Sequence, residues 1–349
     1  MPSDATIAEA LAPYGWSDRW RALFNASEVE DGRPGRVVQH DGVAVLTAMP
    51  DGVAHLGLRP ATPALAVGDW VVADRDNRVA ELLTRASLLQ RRDPDADIDQ
   101  PVAANVDTMV IVCGLDRPVR TGRIQRAVTQ SWDAGATPLL VLTKTDLDDG
   151  GEAAEQAVEA AREADPTLEI LALSAKAGEG LDQLTEHTAH RTIVFFGESG
   201  AGKSTLLNAL IGQDVAATAE VRPGDAKGRH TTTARTLHLL PAGGCLIDTP
   251  GVRALGLTAD PEAVAATFDD IVVLSPGCRF RDCRHDSEPG CAVRAAVAEG
   301  ELSEDRLAAF HRLRKEAEAA ALRDDAVASR QAGKRFGRMV REAQRQKQG

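Results

Sequence analysis

The chain has 349 residues, 43% of them hydrophobic and 26% charged, with 52 acidic side chains against 40 basic ones and a formal net charge of -12. At about 150 residues per domain, that length predicts two or three domains with sizeable cores. The apolar runs are short and edged with charges, and MPSDATIAEALAPYG lacks a basic stretch followed by an apolar one, so neither a membrane span nor a secretory leader is expected. Five cysteines, an odd number, argue against a disulfide framework and for a reducing, cytoplasmic setting. The acidic balance argues on average against a nucleic-acid partner, but the charge is uneven. The last 24 residues carry +6, which leaves -18 for the remainder, and only seven of the 40 basic residues are lysines.

Residues 1–32 predict a helical segment, with one helix over roughly Thr6 to Phe24. Asp-Gly pairs ten residues apart (31–32, 41–42, 51–52) favour tight turns between the runs RVVQ, VAVLTAM, VAHLGL, DWVVAD and RVAELL. These five strands predict a small antiparallel, OB-like barrel over 33–92, in which Trp70 is the aromatic suited to stacking on a base. Beyond the polar stretch RRDPDADIDQP the texture changes. VDTMVIVC, PLLVLT, LEILALS, RTIVFFG and CLIDT read as strands buried on both faces, and helices at Gly122–Asp133, Glu152–Ala164, Leu181–Ala189 and Lys203–Ile211 lie between them. The pattern over 100–259 is that of a doubly wound α/β domain.

Gly197-Glu198-Ser199-Gly200-Ala201-Gly202-Lys203-Ser204, followed by Thr205, joins a strand to a helix and matches G-x-x-x-x-G-K-[ST]. Such a loop wraps backbone amides around phosphates, adds a lysine for the β/γ oxygens and offers the Ser204 hydroxyl to Mg²⁺. Asp248-Thr249-Pro250-Gly251 ends a strand as a D-x-x-G element, with Asp248 facing Mg²⁺ and the Gly251 amide facing a γ-phosphate. Thr143-Lys144-Thr145-Asp146 resembles the guanine-reading N-K-x-D, because a carboxylate accepts from both N1–H and the 2-amino group of guanine and adenine offers no such pair. Ser174-Ala175-Lys176 resembles the loop that meets guanine O6. All four elements fall at strand C-termini, where α/β sheets bind ligands. The base elements precede the phosphate elements, which is the order of a circularly permuted P-loop GTPase domain. Between P-loop and D-x-x-G, Gly228-Arg229-His230-Thr231-Thr232-Thr233 occupies the switch position, where one threonine, here assigned as Thr232, completes the Mg²⁺ shell. Val252 cannot orient a water, so His230 is the candidate catalytic group.

Cys278, Cys283, His285 and Cys291 offer three thiolates and an imidazole within 14 residues, a closed donor set for one structural Zn²⁺. They lie in a mainly helical region, 260–325, with a further helix opening at Ser303 and the basic tail 326–349 beyond it. Cys113 and Cys245 sit in apolar runs and are expected in the core.

The strings QPVAANVDTMVIV, TKTD, SAK, GESGAGKST, GRHTTT, DTPGVR and PGCRFRDCRHDSEPGCAVRAAV together resemble the ribosome small subunit-dependent GTPase A (RsgA, YjeQ-like) family over nearly the whole chain. The resemblance implies an OB-fold, a permuted G domain and a zinc domain in a monomer that binds GTP and GDP, the 30S subunit and its 16S rRNA. It also implies slow GTP hydrolysis, stimulated by 30S, during late small-subunit maturation, and a functional histidine at the position of His230. One departure is Thr143 in place of asparagine. It is expected to lose an amide bridge to the P-loop and lower nucleotide affinity, with Asp146 keeping the selectivity for guanine. A scaffold with a vestigial nucleotide site and a metabolic P-loop kinase are the competing readings; intact Lys203, Ser204, Asp248 and Asp146 oppose the first, and Asp146 with Ser174-Ala175 opposes the second.

Overall fold

The computed structural model describes residues 3–40, 44–93, 98–148, 150–212, 235–249 and 261–322. The chain divides into two compact units, Met1–Arg91 with Asp99–Gly256 and Arg92–Ile98 with Leu257–Gly349. Among the described residues no helix is long and apolar enough to cross a membrane.

The expected single N-terminal helix is broken. α1 (Asp4–Leu11) is capped by the Ser3 hydroxyl, gives way to a 3-10 turn at Ala12–Tyr14, and stops at Gly15 with φ +84°. Pro13 supplies no amide for a continuing helix, and Gly15 accepts the left-handed turn. α2 (Asp18–Asn25) then runs separately. Both helices lay their apolar faces on the barrel: Ile7, Leu11, Trp16 and Trp20 pack with Trp70, Val72 and Leu83. Trp70 is fully buried, its ring 5.0 Å from Trp16 and 5.7 Å from Trp20. It is therefore a core residue and cannot stack on a base, contrary to the sequence expectation.

The barrel uses β1 (Arg33–His40), β2 (Ala44–Met49), β3 (Gly52–Gly57), β4 (Trp70–Ala73) and β5 (Val79–Leu82). β1 pairs antiparallel with both β2 and β4, β2 with β3, and β4 with β5. A parallel bridge from Gly57 to Arg78 closes the ring, giving the OB-like order β1-β2-β3-β5-β4. β6 (Leu88–Asp93) and β7 (Ile98–Ala104) form a separate two-stranded ribbon.

The α/β region contains β8 (Thr108–Gly114), α3 (Thr121–Asp133), β9 (Thr137–Thr143), α4 (Glu152–Ala164), β10 (Ile170–Leu173), α5 (Leu181–Thr188), β11 (Thr192–Phe196), α6 (Lys203–Ile211), β12 (Arg235–Leu239) and β13 (Cys245–Asp248). The strand order is β10-β9-β8-β11-β13-β12, parallel except for β12. Parallel registers such as Gly114 opposite Thr143, and Leu173 opposite Thr143, bring the C-terminal strand ends to one edge. β12, which sequence periodicity misses, pairs on its other side with β1 through Gln39–Thr236 and His40–Arg235. Barrel and α/β region therefore share one continuous sheet. Cys245 is buried as expected, whereas Cys113 is half-buried, its thiol pushed up to about 11 chiefly by burial.

The second unit contains helices Pro261–Thr267, Asp269–Leu274 and Ala292–Glu299 and a longer one over 304–322. Its core joins Val264, Phe268, Ile271, Val293, Leu307, Phe310 and Leu313 to the cysteine cluster.

Candidate functional site

β11 ends at Phe196 and α6 begins at Lys203, so the loop 197–202 turns directly from strand to helix N-terminus. Two glycines in it are sterically required. A Cβ on Gly197 would lie 2.3 Å from the Val112 carbonyl, and Gly202, at φ +97°, faces the Thr143 hydroxyl at 3.2 Å from where its Cβ would stand. Lys203 Nζ donates to the carbonyls of Gly197 (2.7 Å) and Glu198 (2.6 Å), curling over the loop at the N-terminus of α6, the end of a helix that favours an anion. Ser204 and Thr205 are exposed in the first turn of α6, while Ala201 is buried beneath the loop.

The base-reading elements stand beside this loop. Thr143, buried at the end of β9, donates its hydroxyl to the Ala201 carbonyl at 2.6 Å. The bridge expected to be lost with asparagine is thus made by the threonine hydroxyl, which corrects the sequence expectation. Asp146 accepts the Ser174 hydroxyl at 2.6 Å, so the two motifs touch. Residues 174–179 form a tight loop closed by reciprocal Ser174–Glu179 backbone hydrogen bonds of 3.0 and 3.1 Å, with Ala175 and Lys176 toward its tip.

Lys144 adopts left-handed backbone angles (φ +67°, ψ +37°), a conformation costing a non-glycine residue about 1 kcal/mol. Its ammonium pairs with Asp116 Oδ2 at 2.9 Å, which holds the stem in place. Arg117, at 3.0 Å, and Lys144 hold the Asp116 carboxyl down at about 2. Because that value lies below the unfolded carboxylate range, the pairing is complete above about pH 4 and is lost only as pH falls through about 2. Sequence reading missed Asp116. The available signal was its place just after β8, the remaining strand end at the same edge of the sheet.

Asp248 ends β13, half-buried. Burial raises its carboxyl above the ordinary range, with His238 and Lys203 acting in the opposite direction. Ser204 and Asp248 are hard oxygen donors of the kind Mg²⁺ takes. His230, Thr232 and Gly251 lie outside the described residues, as does the tail 326–349.

In the second unit the donor atoms of Cys278, Cys283, His285 and Cys291 all lie within 4.8 Å of one another. Cys278 Sγ is 3.9 Å from Cys291 Sγ and 3.6 Å from His285 Nδ1, and His285 Nδ1 is 3.4 Å from Cys291 Sγ. A tetrahedral ion with bonds of about 2.0–2.3 Å requires ligand separations of about 3.5–3.8 Å, so the cluster fits zinc. Ser275 Oγ meets the other imidazole nitrogen, Nε2, at 3.2 Å and fixes which nitrogen faces the sulfurs. Burial raises the Cys278 thiol, but amides of Ala292 and Val293 at the start of helix Ala292–Glu299 outweigh it, and the net shift is downward, toward thiolate.

Comparison with known proteins agrees with this geometry. The model of the RsgA GTPase family matches residues 82–258. The chain is 37% identical over 333 residues to Small ribosomal subunit biogenesis GTPase RsgA 2 of Vibrio parahaemolyticus, covering 94% of this chain and 92% of that one. It is 38% identical over 338 residues to Small ribosomal subunit biogenesis GTPase RsgA of Streptomyces coelicolor, with the same coverage of 94% and 92%. Among solved structures, YjeQ from Thermotoga maritima superposes with a TM-score of 0.62 at 27% identity, covering 82% of this chain and 98% of that one. A permuted nucleotide fold, a Cys3His cluster and similarity over nearly the full length converge: the chain belongs to the RsgA GTPase family.

Proposed function

We propose that this protein is a small ribosomal subunit biogenesis GTPase, which binds the 30S particle through its 16S rRNA and hydrolyses GTP slowly alone and faster on that particle. The observation that carries the reading is the direct contact between the base-reading and phosphate-binding elements, Thr143 to Ala201, beside the contact that joins the two base-reading motifs, Asp146 to Ser174, in a chain similar to RsgA proteins over 94% of its length.

Asp146 accepts from guanine N1–H and the 2-amino group, with Ser174 orienting the carboxylate. The Lys144 stem covers the ring face, and amides near Ala175 and Lys176 meet O6. The loop amides of 197–202 take the phosphates, and Lys203 exchanges its two carbonyl partners for phosphate oxygens. Ser204, Thr232 and Asp248 hold Mg²⁺, which when bound neutralises charge on the phosphate oxygens. Thr205 lines the same helix end, Gly251 meets the γ-phosphate and His230 positions the water. Cys278, Cys283, His285 and Cys291 hold one structural zinc. We place the protein in the cytoplasm, acting as a monomer.

Turnover of GTP and ATP, measured alone and with purified 30S or 50S particles, tests the reading. GTP hydrolysis stimulated selectively by 30S is expected; preference for ATP, or equal stimulation by 50S, overturns it. His230→Ala is expected to lower stimulated turnover about 100-fold with GTP binding unchanged, as removal of a group acting on the nucleophile should. Thr143→Val, which deletes the hydroxyl bridge to Ala201, is expected to weaken nucleotide binding roughly fivefold, equivalent to about 1 kcal/mol. Calorimetric titration with GDP measures it, and unchanged affinity would show that the bridge does not support the site.

A further inference from the structure

Four arginines recur at every third position just after β8: Arg117, Arg120, Arg123 and Arg126. No acidic residue occurs from 117 to 132, in a chain that is otherwise strongly acidic. Three of them lie at the start of α3 or along its first turns, at spacings that put side chains on one helix face. All four line a single cavity of about 380 Å³, whose apolar floor includes Ile124 and Phe196 and whose wall includes P-loop residue Glu198. Among the described residues Glu198 is the only acid in that lining, and it is held by Arg123 at 2.5 Å. Arg117 and Arg123 both keep 44% of their side-chain surface in solvent despite these pairs. A row of exposed guanidinium groups above an apolar floor suits an RNA strand, because planar forks grip phosphate oxygens and unstacked bases take apolar or guanidinium faces.

We propose that the arginine row of α3, with the cavity it lines, is a docking surface for ribosomal RNA phosphates beside the P-loop. The proposal rests on the reading of this chain as a 30S-binding GTPase. The surface touches the nucleotide loop through Arg123 and Glu198, so RNA that engages the row meets the loop holding the β-phosphate. Arg117 likewise borders the base site, since its partner Asp116 also holds Lys144.

The test uses the full chain and a double variant, Arg120→Glu with Arg126→Glu, neither residue belonging to the nucleotide site. Intrinsic GTP turnover, 30S affinity and its salt dependence are measured for both. The variant is expected to keep intrinsic turnover within twofold, to bind 30S at least tenfold more weakly, and to flatten the slope of log affinity against log salt by about 1–2, as loss of two phosphate contacts requires. Unchanged affinity and slope overturn the surface alone. Weaker binding with an unchanged slope also overturns it, because the partner there is then ribosomal protein. A wild-type chain that does not bind 30S particles overturns the functional reading and the surface with it.

Discussion

Replacing Cys291 with serine, or removing zinc with a chelator, is expected to unfold residues 261–322 as a unit. Cys291 is both a donor and a core residue: it is buried, it precedes helix Ala292–Glu299, and its side chain packs with Phe268, Val293 and Phe310. Around it the described residues of the second unit form three helices of 7, 6 and 8 residues and a longer one over 304–322, and a core of this size rarely supplies more than about 3–5 kcal/mol. Structural zinc sites contribute apparent binding energies of about 10–16 kcal/mol in small peptides, far more than such a core can replace. Removing the ion also leaves thiol and imidazole groups crowded within 4.8 Å without the charge that draws them together. Limited proteolysis with mass spectrometry reads the outcome directly. Rapid cleavage within 261–322, with the α/β region still protected and able to bind GDP, is the expected pattern. A chelated chain that stays resistant there would show that the helices hold themselves.

The second large effect is expected at Arg36. This side chain is 1% exposed, yet its guanidinium donates to the carbonyls of Tyr14, Gly68 (3.3 Å) and Asn105 (3.3 Å) and to the Thr192 hydroxyl (2.9 Å). Its face covers Trp70 at 5.4 Å. Burial lowers its pKa, while Cys245, Asp107 and Asp69 act in the opposite direction. The acceptors come from the N-terminal segment, the barrel and the α/β region, so one planar group joins three parts of the unit. Arg36→Ala takes a donor from the carbonyls of Tyr14, Asn105 and Gly68, of which Gly68 keeps Asn105 Nδ2 at 3.0 Å, and opens a void beside Trp70. A loss of about 3–5 kcal/mol is expected, since each unsatisfied group costs about 1–3 kcal/mol and neighbouring losses are not additive. Lysine should not rescue it, because a single ammonium cannot span acceptors arranged around a fork. Urea unfolding of the three proteins measures this. A loss below 1 kcal/mol for Arg36→Ala would mean that water or repacking replaces the guanidinium.

What could be read from residues alone was chemistry that needs particular backbone or donor atoms. Gly197 and Gly202 are fixed by close approach and positive φ, the cysteines and His285 by ligand type, and α4 and α6 by helical periodicity between strands. Relations carried by backbone or by reach were not legible. The β1–β12 pairing has no side-chain signature, and β12 is a five-residue strand, too short for periodicity to identify. Trp70 was misassigned because its residue type does not tell which face of β4 meets α1 and α2. The role of Thr143 depends on where the Ala201 carbonyl stands, and Asp116 on the path the chain takes after β8. His230, Thr232 and Gly251, all legible as motif positions, fall outside the described residues.

The junction between β1 and β12 determines where the chain can be divided. A cut between 92 and 100, where a change in sequence texture invites one, would strip β1 from β12 and leave a sheet edge with unpaired amides and carbonyls, the form of edge that recruits other chains. It would also remove Arg36 from Asn105 and Thr192. The nucleotide-binding half is thus not a module that can be lifted out. Barrel and GTPase region have to be inherited, expressed and folded together.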